Sequence, residues 1–496
     1  MPKRLSQDIN FPIVLRMQGW LLLIEAAFML LPLAIAWWFR ERTAITAFAL
    51  SAGITAAAGS LMAFCIKPRS TTMRKREGLL LTAIIWVFFS AFGMLPYLLA
   101  GTFDTVTDAF FETMAGFTTT GCSVNTNIDA TPCGILFWRS LTQWVGGMGI
   151  ILFTLAVIPM LNHRGGIALF NAEVTGITHE KLRPRVSQTA KGLWLIYLLL
   201  TALLALLLLG PMDWFDAVCH AMSTTSTGGY STRAAGLAHW QSPYLYVVVT
   251  AFMLLGGTNF TLIYALLHGN LARLRHNDVL RCYLLTAAAA TVVITLYMTH
   301  MGYHGTATTD RAICAAFHTV SALTSTGYTT LCQHQGAAGS GEFVTLILMA
   351  MMLVGGMAGS TSGGAKLDRL IILVRNTRNE LYRLLHGSTV RTVHIDGKPV
   401  ATHLVAKVNA FFSIYAAIIV AVALWLTLCG LGVADALATS MSAISNVGIG
   451  FGVTATGSWA CLPPAAKWAL ALEMMVGRLE LFTVLVIFTR SFWVKD

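Results

Sequence analysis

The sequence predicts an all-α polytopic membrane protein: two leading helices plus four membrane–pore–membrane repeats around one central pore, with ten transmembrane helices and four re-entrant pore helices. Three observations carry this. The 496 residues are 56% hydrophobic and 11% charged, with mean hydropathy +0.68; soluble domains carry about 25% charged residues. Apolar spans near the length of about 20 residues needed to cross a bilayer recur along the whole chain. Between them, one short semi-polar segment returns four times.

The first two spans, roughly 11–39 and 44–66, are uninterrupted apolar runs. No later stretch is long and polar enough for a separate soluble domain, so one integral domain is expected. It divides into 1–77 (the leading spans), 78–165 (repeat 1), 166–278 (repeat 2), 279–400 (repeat 3) and 401–496 (repeat 4). The N-terminal "MPKRLSQDINFPIVLRMQGW" lacks a small-residue cleavage site, so no removed signal peptide is expected.

The net charge of +11 does not indicate nucleic acid, because its distribution is local. Basic residues gather in "KPRSTTMRKR" (67–76), "HEKLRPR" (179–185), "LARLRHNDVLR" (271–281) and "RNTRNELYRLLHGSTVR" (375–391). The positive-inside rule puts these loops in the cytoplasm. With an even span count, both termini are then cytoplasmic and the short segments enter from outside. The nine cysteines show no metal spacing. Most lie in apolar runs as packing residues, and a bridge between Cys122 and Cys133 is left open.

Each repeat begins with a long span. The short segment follows: "DAFFETMAGFTTTGCS" (108–123), "DAVCHAMSTTSTGGYS" (216–231), "CAAFHTVSALTSTGYT" (314–329) and "DALATSMSAISNVGIG" (435–450). Every copy has a glycine thirteen residues after its first residue: Gly121, Gly229, Gly327 and Gly448. Asp108, Asp216 and Asp435 open three copies as candidate helix N-caps, and Cys314 opens the other. A helix of about nine residues from cap to hydroxyl run cannot cross a bilayer. Non-helical backbone at membrane depth is tolerated only in protein or along a water-filled path. Four such segments predict a pore.

The second span of each repeat closes the unit with its own mark: "WVGGMGI" (144–150), "LLGGTNF" (254–260), "LVGGMAG" (353–359) and "MVGRLEL" (475–481). Small residues allow close backbone approach. Only the fourth copy replaces the second glycine with a cation, Arg478.

A dehydrated cation needs its hydration shell replaced, and rings of backbone carbonyls do this. Glycine permits the dihedrals that aim those carbonyls inward. The candidate ion-binding residues are Thr118, Thr119, Thr120 and Gly121; Ser226, Thr227, Gly228 and Gly229; Thr324, Ser325, Thr326 and Gly327; and Ser445, Asn446, Val447 and Gly448. Four helix C-termini converging there favour a cation without any fixed carboxylate. No Asp or Glu ring flanks the glycines, which argues against strong divalent binding. One Ser/Thr/Gly run alone reads as a helix-packing surface; four in register do not.

The motifs "TTTG", "STGGYS", "TSTGY", "SNVG", "GSTSGG" and "GRLE" resemble the Trk/Ktr/HKT superfamily of potassium and sodium transporters over nearly the whole chain. The two leading spans resemble its TrkH/TrkG branch. The resemblance implies potassium uptake across a bacterial inner membrane, with filter glycines selecting K+. Members with serine at the first glycine lean towards sodium. "SNVG" departs most from the threonine-rich pattern, as it does across the family. The resemblance also implies a homodimer and a cytosolic TrkA-type nucleotide-binding regulatory subunit. The chain itself has no Rossmann or P-loop motif, so no organic cofactor is expected here.

Arg478 costs about 2.5–3.5 kcal/mol at the centre of a lone span. It is therefore expected to face the shared axis below the filter, as the resemblance implies, and to act as a barrier to cations. The competing reading is a structural ion pair with Glu473 or Glu480. In the third repeat, Gly359, Ser360, Thr361, Ser362, Gly363 and Gly364 interrupt the second span, with Lys366 next. Gly costs about 1 kcal/mol against Ala in a helix, so this run should unwind. By the resemblance it is a gating loop; the alternative is a packing kink. The matching stretches "IILFTL" (150–155), "FTLIYA" (260–265) and "LFTVLV" (481–486) look like unbroken helix.

Two other function classes fit the sequence less well. An intramembrane serine protease would use Ser360 or Ser362, but the five-residue elbow centres on Thr361. His220, His318 and His403 offer no evident base. A secondary transporter with midplane carboxylates and inverted repeats fits poorly with parallel repeats. Proton- or sodium-coupled symport stays open.

Overall fold

The computed structural model describes residues 9–68, 73–147, 149, 186–301, 308–330, 341–386, 391–455, 458–479 and 481–493. The basic stretch 179–185, the stretch 150–155, the repeat 1/2 boundary and Glu480 lie outside these residues.

Almost every described element is a helix. The leading pair, α1 (Phe11–Trp38) and α2 (Arg42–Ser60, continued by a π-turn to Cys65), forms a hairpin. Gly19 and Gly59 face each other at its crossing. A Cβ on Gly19 would lie 2.7 Å from the Gly59 carbonyl, and one on Gly59 would lie 2.9 Å from the Gly19 carbonyl. Small residues here bring the two backbones together, as in membrane helix pairs generally.

In the repeats, the first spans differ from the second. The first spans are long and apolar: Arg76–Leu99, Lys191–Leu208, Asp278–His300 and Thr402–Leu428. With the leading pair they make six helices long enough to cross a membrane. The second spans begin with α6 (Cys133–Gly147), Pro243–Gly256, Gly341–Val354 and Pro464–Arg478. The second, third and fourth have 14, 14 and 15 residues, and each stops at its glycine pair or at Arg478. At 1.5 Å per residue they are only about 22 Å long.

This corrects the expectation that only the third repeat is broken. In the second, the chain leaves its helix at Gly257 and restarts at Phe260, bent by 106°. Asn259 caps the new helix by accepting from the Thr261 amide. In the fourth, the helix ends at Arg478 and resumes as the short Leu481–Leu485. Apolar composition hid both breaks, because a two-glycine or Gly-Arg step suffices to end a helix.

Between each pair lies a short helix: α5 (Val106–Phe117), Trp214–Thr225, Thr308–Leu323 and Val433–Ile444. None is long enough to span a bilayer. The aspartates do not cap them. The N-caps are Thr105, Asp213 and Gly432; Asp108, Asp216 and Asp435 sit in the first turn. Cys314 lies inside its helix, which starts six residues earlier. In α5, Thr105 accepts from the Asp108 amide at 3.1 Å and donates to its carboxylate at 2.8 Å. An acidic group three residues past the cap still meets orphan N–H groups and the positive helix end.

Candidate functional site

All four short helices end in the same way. The amides of Thr120, Gly228, Thr326 and Val447 donate back to Ala115, Ser223, Ser321 and Ser442 at 2.8–3.0 Å. One residue earlier, the amides of Thr119, Thr227, Ser325 and Asn446 donate to Gly116, Thr224, Ala322 and Ala443. This is a Schellman-type closure. It requires left-handed backbone, and those four non-glycine residues have φ of +56°, +53°, +54° and +52°. Left-handed backbone costs a non-glycine residue roughly 1–2 kcal/mol, and such strain clusters at functional sites. Two residues on, Gly121, Gly229, Gly327 and Gly448 have φ of +77°, +79°, +85° and +74°.

The four glycines also form a closed cycle. A Cβ on Gly121 would collide with the Gly228 carbonyl, one on Gly229 with Thr326, one on Gly327 with Val447, and one on Gly448 with Thr120. In each case the struck carbonyl belongs to the residue just before the next repeat's glycine. The fourth contact returns to the first repeat, so the sequence register becomes a ring in space.

The first-column hydroxyls turn away from this ring. Thr118 and Thr324 donate to the carbonyls of Met114 and Val320 at 2.7 Å, and each bonds to the threonine two residues on. Ser226 donates to Ser223, and Ser445 bonds to the Tyr415 hydroxyl. The Asn446 amide donates to Thr120 Oγ1 at 3.0 Å and to the Met474 carbonyl at 2.9 Å, joining repeats 4 and 1. Gln143, missed in the sequence, clasps the loop after the second short helix: its Nε2 donates to the Gly228 carbonyl at 2.6 Å, and its Oε1 accepts from the Tyr230 amide. Only its position one turn before the Gly-Gly pair hinted at this.

Residues 355–366 are non-helical and pressed against the ring. Gly355, Gly359, Gly364 and Lys366 all have positive φ. Thr361 Oγ1 donates to the Thr225 and Gly256 carbonyls and accepts from Thr227. Ser325 Oγ donates to Ser362 Oγ and accepts from the Gly363 amide. A Cβ on Gly363 would strike the Ser445 carbonyl and lie 3.0 Å from Asn446 Cβ. The loop thus meets three of the four left-handed non-glycine residues beside the ring. Ser360 Oγ donates to the Met357 carbonyl, and Lys366 Nζ donates to the Ser362 carbonyl. Neither serine is set up with a histidine: His220 and His318 bond to Ser231 and Thr330, and His403 is exposed.

Arg478 supplies the link to the remaining repeat. Its Nη1 donates to the Thr361 carbonyl at 2.7 Å; its Nη2 donates to Gly146 at 2.9 Å and Gly147 at 3.3 Å. Gly256 and Gly257 likewise accept from the Thr361 and Met357 amides. Glu473 instead accepts from Ser440 at 2.6 Å, on the pore-helix side. Cys122 and Cys133 are free thiols, Cys122 buried against Met474.

Residues 44–493 match the family model described as TrkH, cation transport protein. The chain is 34% identical to the Trk system potassium uptake protein TrkH of Salmonella typhimurium, over 98% of this chain and 100% of that one. It is 31% identical to TrkG of Escherichia coli over 97% of this chain and 98% of that one. The crystal structure of the potassium transporter TrkH from Vibrio parahaemolyticus superposes with a TM-score of 0.88 at 30% identity, covering 98% and 100% of the two chains. By sequence over nearly its full length and by fold, the chain belongs to the TrkH family of cation transport proteins.

Proposed function

We propose that the protein takes up potassium across the bacterial inner membrane through a filter built by its four repeats. The ring closure from glycine to the next repeat's carbonyl carries this reading. The amides of Thr118–Gly121, Ser226–Gly228, Thr324–Gly327 and Ser445–Val447 are consumed in closing the short helices, so their backbone carbonyls are the groups left for an ion. The residue set is Thr118–Gly121, Ser226–Gly229, Thr324–Gly327 and Ser445–Gly448. Four convergent helix C-termini add negative potential there without a fixed charge. Such a site favours a dehydrated monovalent cation over a divalent one.

In this reading, ten spans and four re-entrant helices surround one pathway, divided at 77, 165, 278 and 400. Both termini are cytoplasmic. The loop 359–364 is a gate beneath the filter, held by Lys366 from its own segment and by Arg478 from the fourth repeat. The guanidinium acts twice, as a positive barrier and as a strap across the gate. Two chains assemble as a homodimer, and a TrkA-type cytosolic subunit carrying the nucleotide acts on the gate.

The test is flux into proteoliposomes with potassium, rubidium and sodium side by side, each with and without a pH gradient. Potassium and rubidium should pass in preference to sodium, with a reversal potential set by the permeant ion alone. A reversal potential that follows the proton or sodium gradient would replace channel-like permeation with coupled symport. Equal passage of all three cations would remove the filter assignment.

A further inference from the structure

Behind the ring, the fifth residue of three of the four short segments reaches across to the chain just past the segment's glycine. In repeat 2, His220 Nε2 pairs with Ser231 Oγ at 3.0 Å; in repeat 3, His318 Nε2 pairs with Thr330 Oγ1 at 2.8 Å. The corresponding residue of repeat 4 is Thr439, and that of repeat 1 is Glu112. Three repeats therefore carry a neutral or neutralisable group at this position, and the first carries a carboxylate.

Glu112 is fully buried and holds four donor contacts. Ser123 Oγ lies 2.9 and 3.1 Å from its two oxygens, the Val124 amide donates at 2.8 Å, and Arg139 Nε donates at 2.8 Å. Arg139, 2% exposed, then spreads across repeats. Its Nη2 donates to Ser123 Oγ at 3.0 Å and its Nη1 to the Ser231 carbonyl at 3.1 Å. Its guanidinium lies 4.2 Å over the Tyr230 ring. The Tyr230 hydroxyl donates in turn to the Glu112 and Cys122 carbonyls. Ser123 also accepts, through its carbonyl, from the Trp459 amide of repeat 4 at 2.8 Å. One ion pair thus grips the residues after Gly121 and ties them to the residues after Gly229.

We propose that Glu112 and Arg139 are specificity-determining positioning residues: they set the separation of the first and second filter strands and thereby the preference for potassium over sodium. A buried ion pair is weak evidence for stability, because desolvation offsets its attraction, and its attested use is to fix one arrangement. The arrangement fixed here is the outer edge of two adjacent filter strands. The planar fork matters as much as the charge. A lysine at 139 keeps the charge but cannot reach Glu112, Ser123 and Ser231 together. The proposal rests on the filter reading given above.

The experiment measures the potassium/sodium permeability ratio from reversal potentials in planar bilayers. It uses Arg139→Lys, Glu112→Gln and the double variant Glu112→Gln/Arg139→Gln, each checked for a monodisperse elution profile, with total flux recorded beside the ratio. Gly121→Ser serves as the reference. The loss of one charge-assisted hydrogen bond at the filter edge corresponds to a fall in the ratio of roughly tenfold. That fall is expected in Arg139→Lys with total flux retained. The double variant removes both buried charges, so it stays informative if a single variant aggregates; it should also lose selectivity. If the pair variants keep the wild-type ratio while Gly121→Ser loses it, the pair is merely structural and the proposal is overturned. If Gly121→Ser also keeps the ratio, the filter assignment fails and the proposal falls with it.

Discussion

Replacing Arg478 by alanine removes the bridge between the loop 359–364, the proposed gate, and the first repeat. In the gate proposed above, the bond from Nη1 to the Thr361 carbonyl, 2.7 Å long, holds only while the loop lies across the pathway. Its Nη2 meanwhile donates to the Gly146 and Gly147 carbonyls of the first repeat. A hydrogen bond from a charged donor contributes about 1.5–3 kcal/mol net. At 1.36 kcal/mol per factor of ten, its loss shifts the loop equilibrium towards the displaced state by about 10- to 160-fold. Removing the positive charge lowers the barrier further in the same direction. Rubidium uptake into proteoliposomes, without any regulatory subunit, should therefore rise by roughly tenfold or more. Arg478→Lys separates the two effects: it keeps the charge and loses the fork, so its uptake should fall between wild type and alanine. Wild-type uptake by a monodisperse Arg478→Ala protein would refute both the strap and the barrier.

Three further outcomes follow from the same geometry. Gly121→Ser places a Cβ on the Gly228 carbonyl at a positive φ, so the potassium/sodium permeability ratio should fall; an unchanged ratio counts against the ring as the filter. Deleting 360–363 should raise basal flux and weaken control by the cytosolic subunit, and Lys366→Met should do the same to a smaller extent because it frees the Ser362 carbonyl. Low, fully regulated flux in the deletion would reduce the loop to a kink. Gly19→Leu overpacks the α1–α2 crossing, where overpacking costs about 1–3 kcal/mol; a lowered Tm is expected, and an unchanged Tm would show that the hairpin does not need its close approach.

The glycine register was legible because it repeats at a constant interval from a constant starting point. Gly121, Gly229, Gly327 and Gly448 then emerge at equivalent places in the ring. Arg478 was legible for a related reason: it breaks a column of small residues. The helix starts were misread by a few residues because Asp serves almost equally well at the cap and in the first turn. The breaks after Gly257 and Arg478 were hidden because apolar residues resume at once, and hydropathy does not record a change of direction. Gln143, Glu112 and Arg139 stayed silent. Their partners lie up to 92 residues away, and no spacing rule connects a side chain on one repeat to the backbone of another. The link between Arg478 and Thr361, 117 residues apart, is of the same kind. The sequence puts the broken run and Arg478 opposite one another below the expected filter, and the fold adds that they touch.

The ring of glycines has a handedness. Each Gly Cα leans on the carbonyl of the repeat that follows it, never of the one before, like the overlapping blades of an iris. Damage should therefore travel one way round the filter. A side chain added at Gly327 pushes first on Val447, in repeat 4, and one added at Gly448 pushes first on Thr120, in repeat 1. Equivalent substitutions in the four repeats are consequently not equivalent perturbations. Each is felt first by its downstream neighbour, and the neighbours differ: Gln143 clasps the carbonyl of Gly228, while Thr120 carries the Asn446 amide on its hydroxyl.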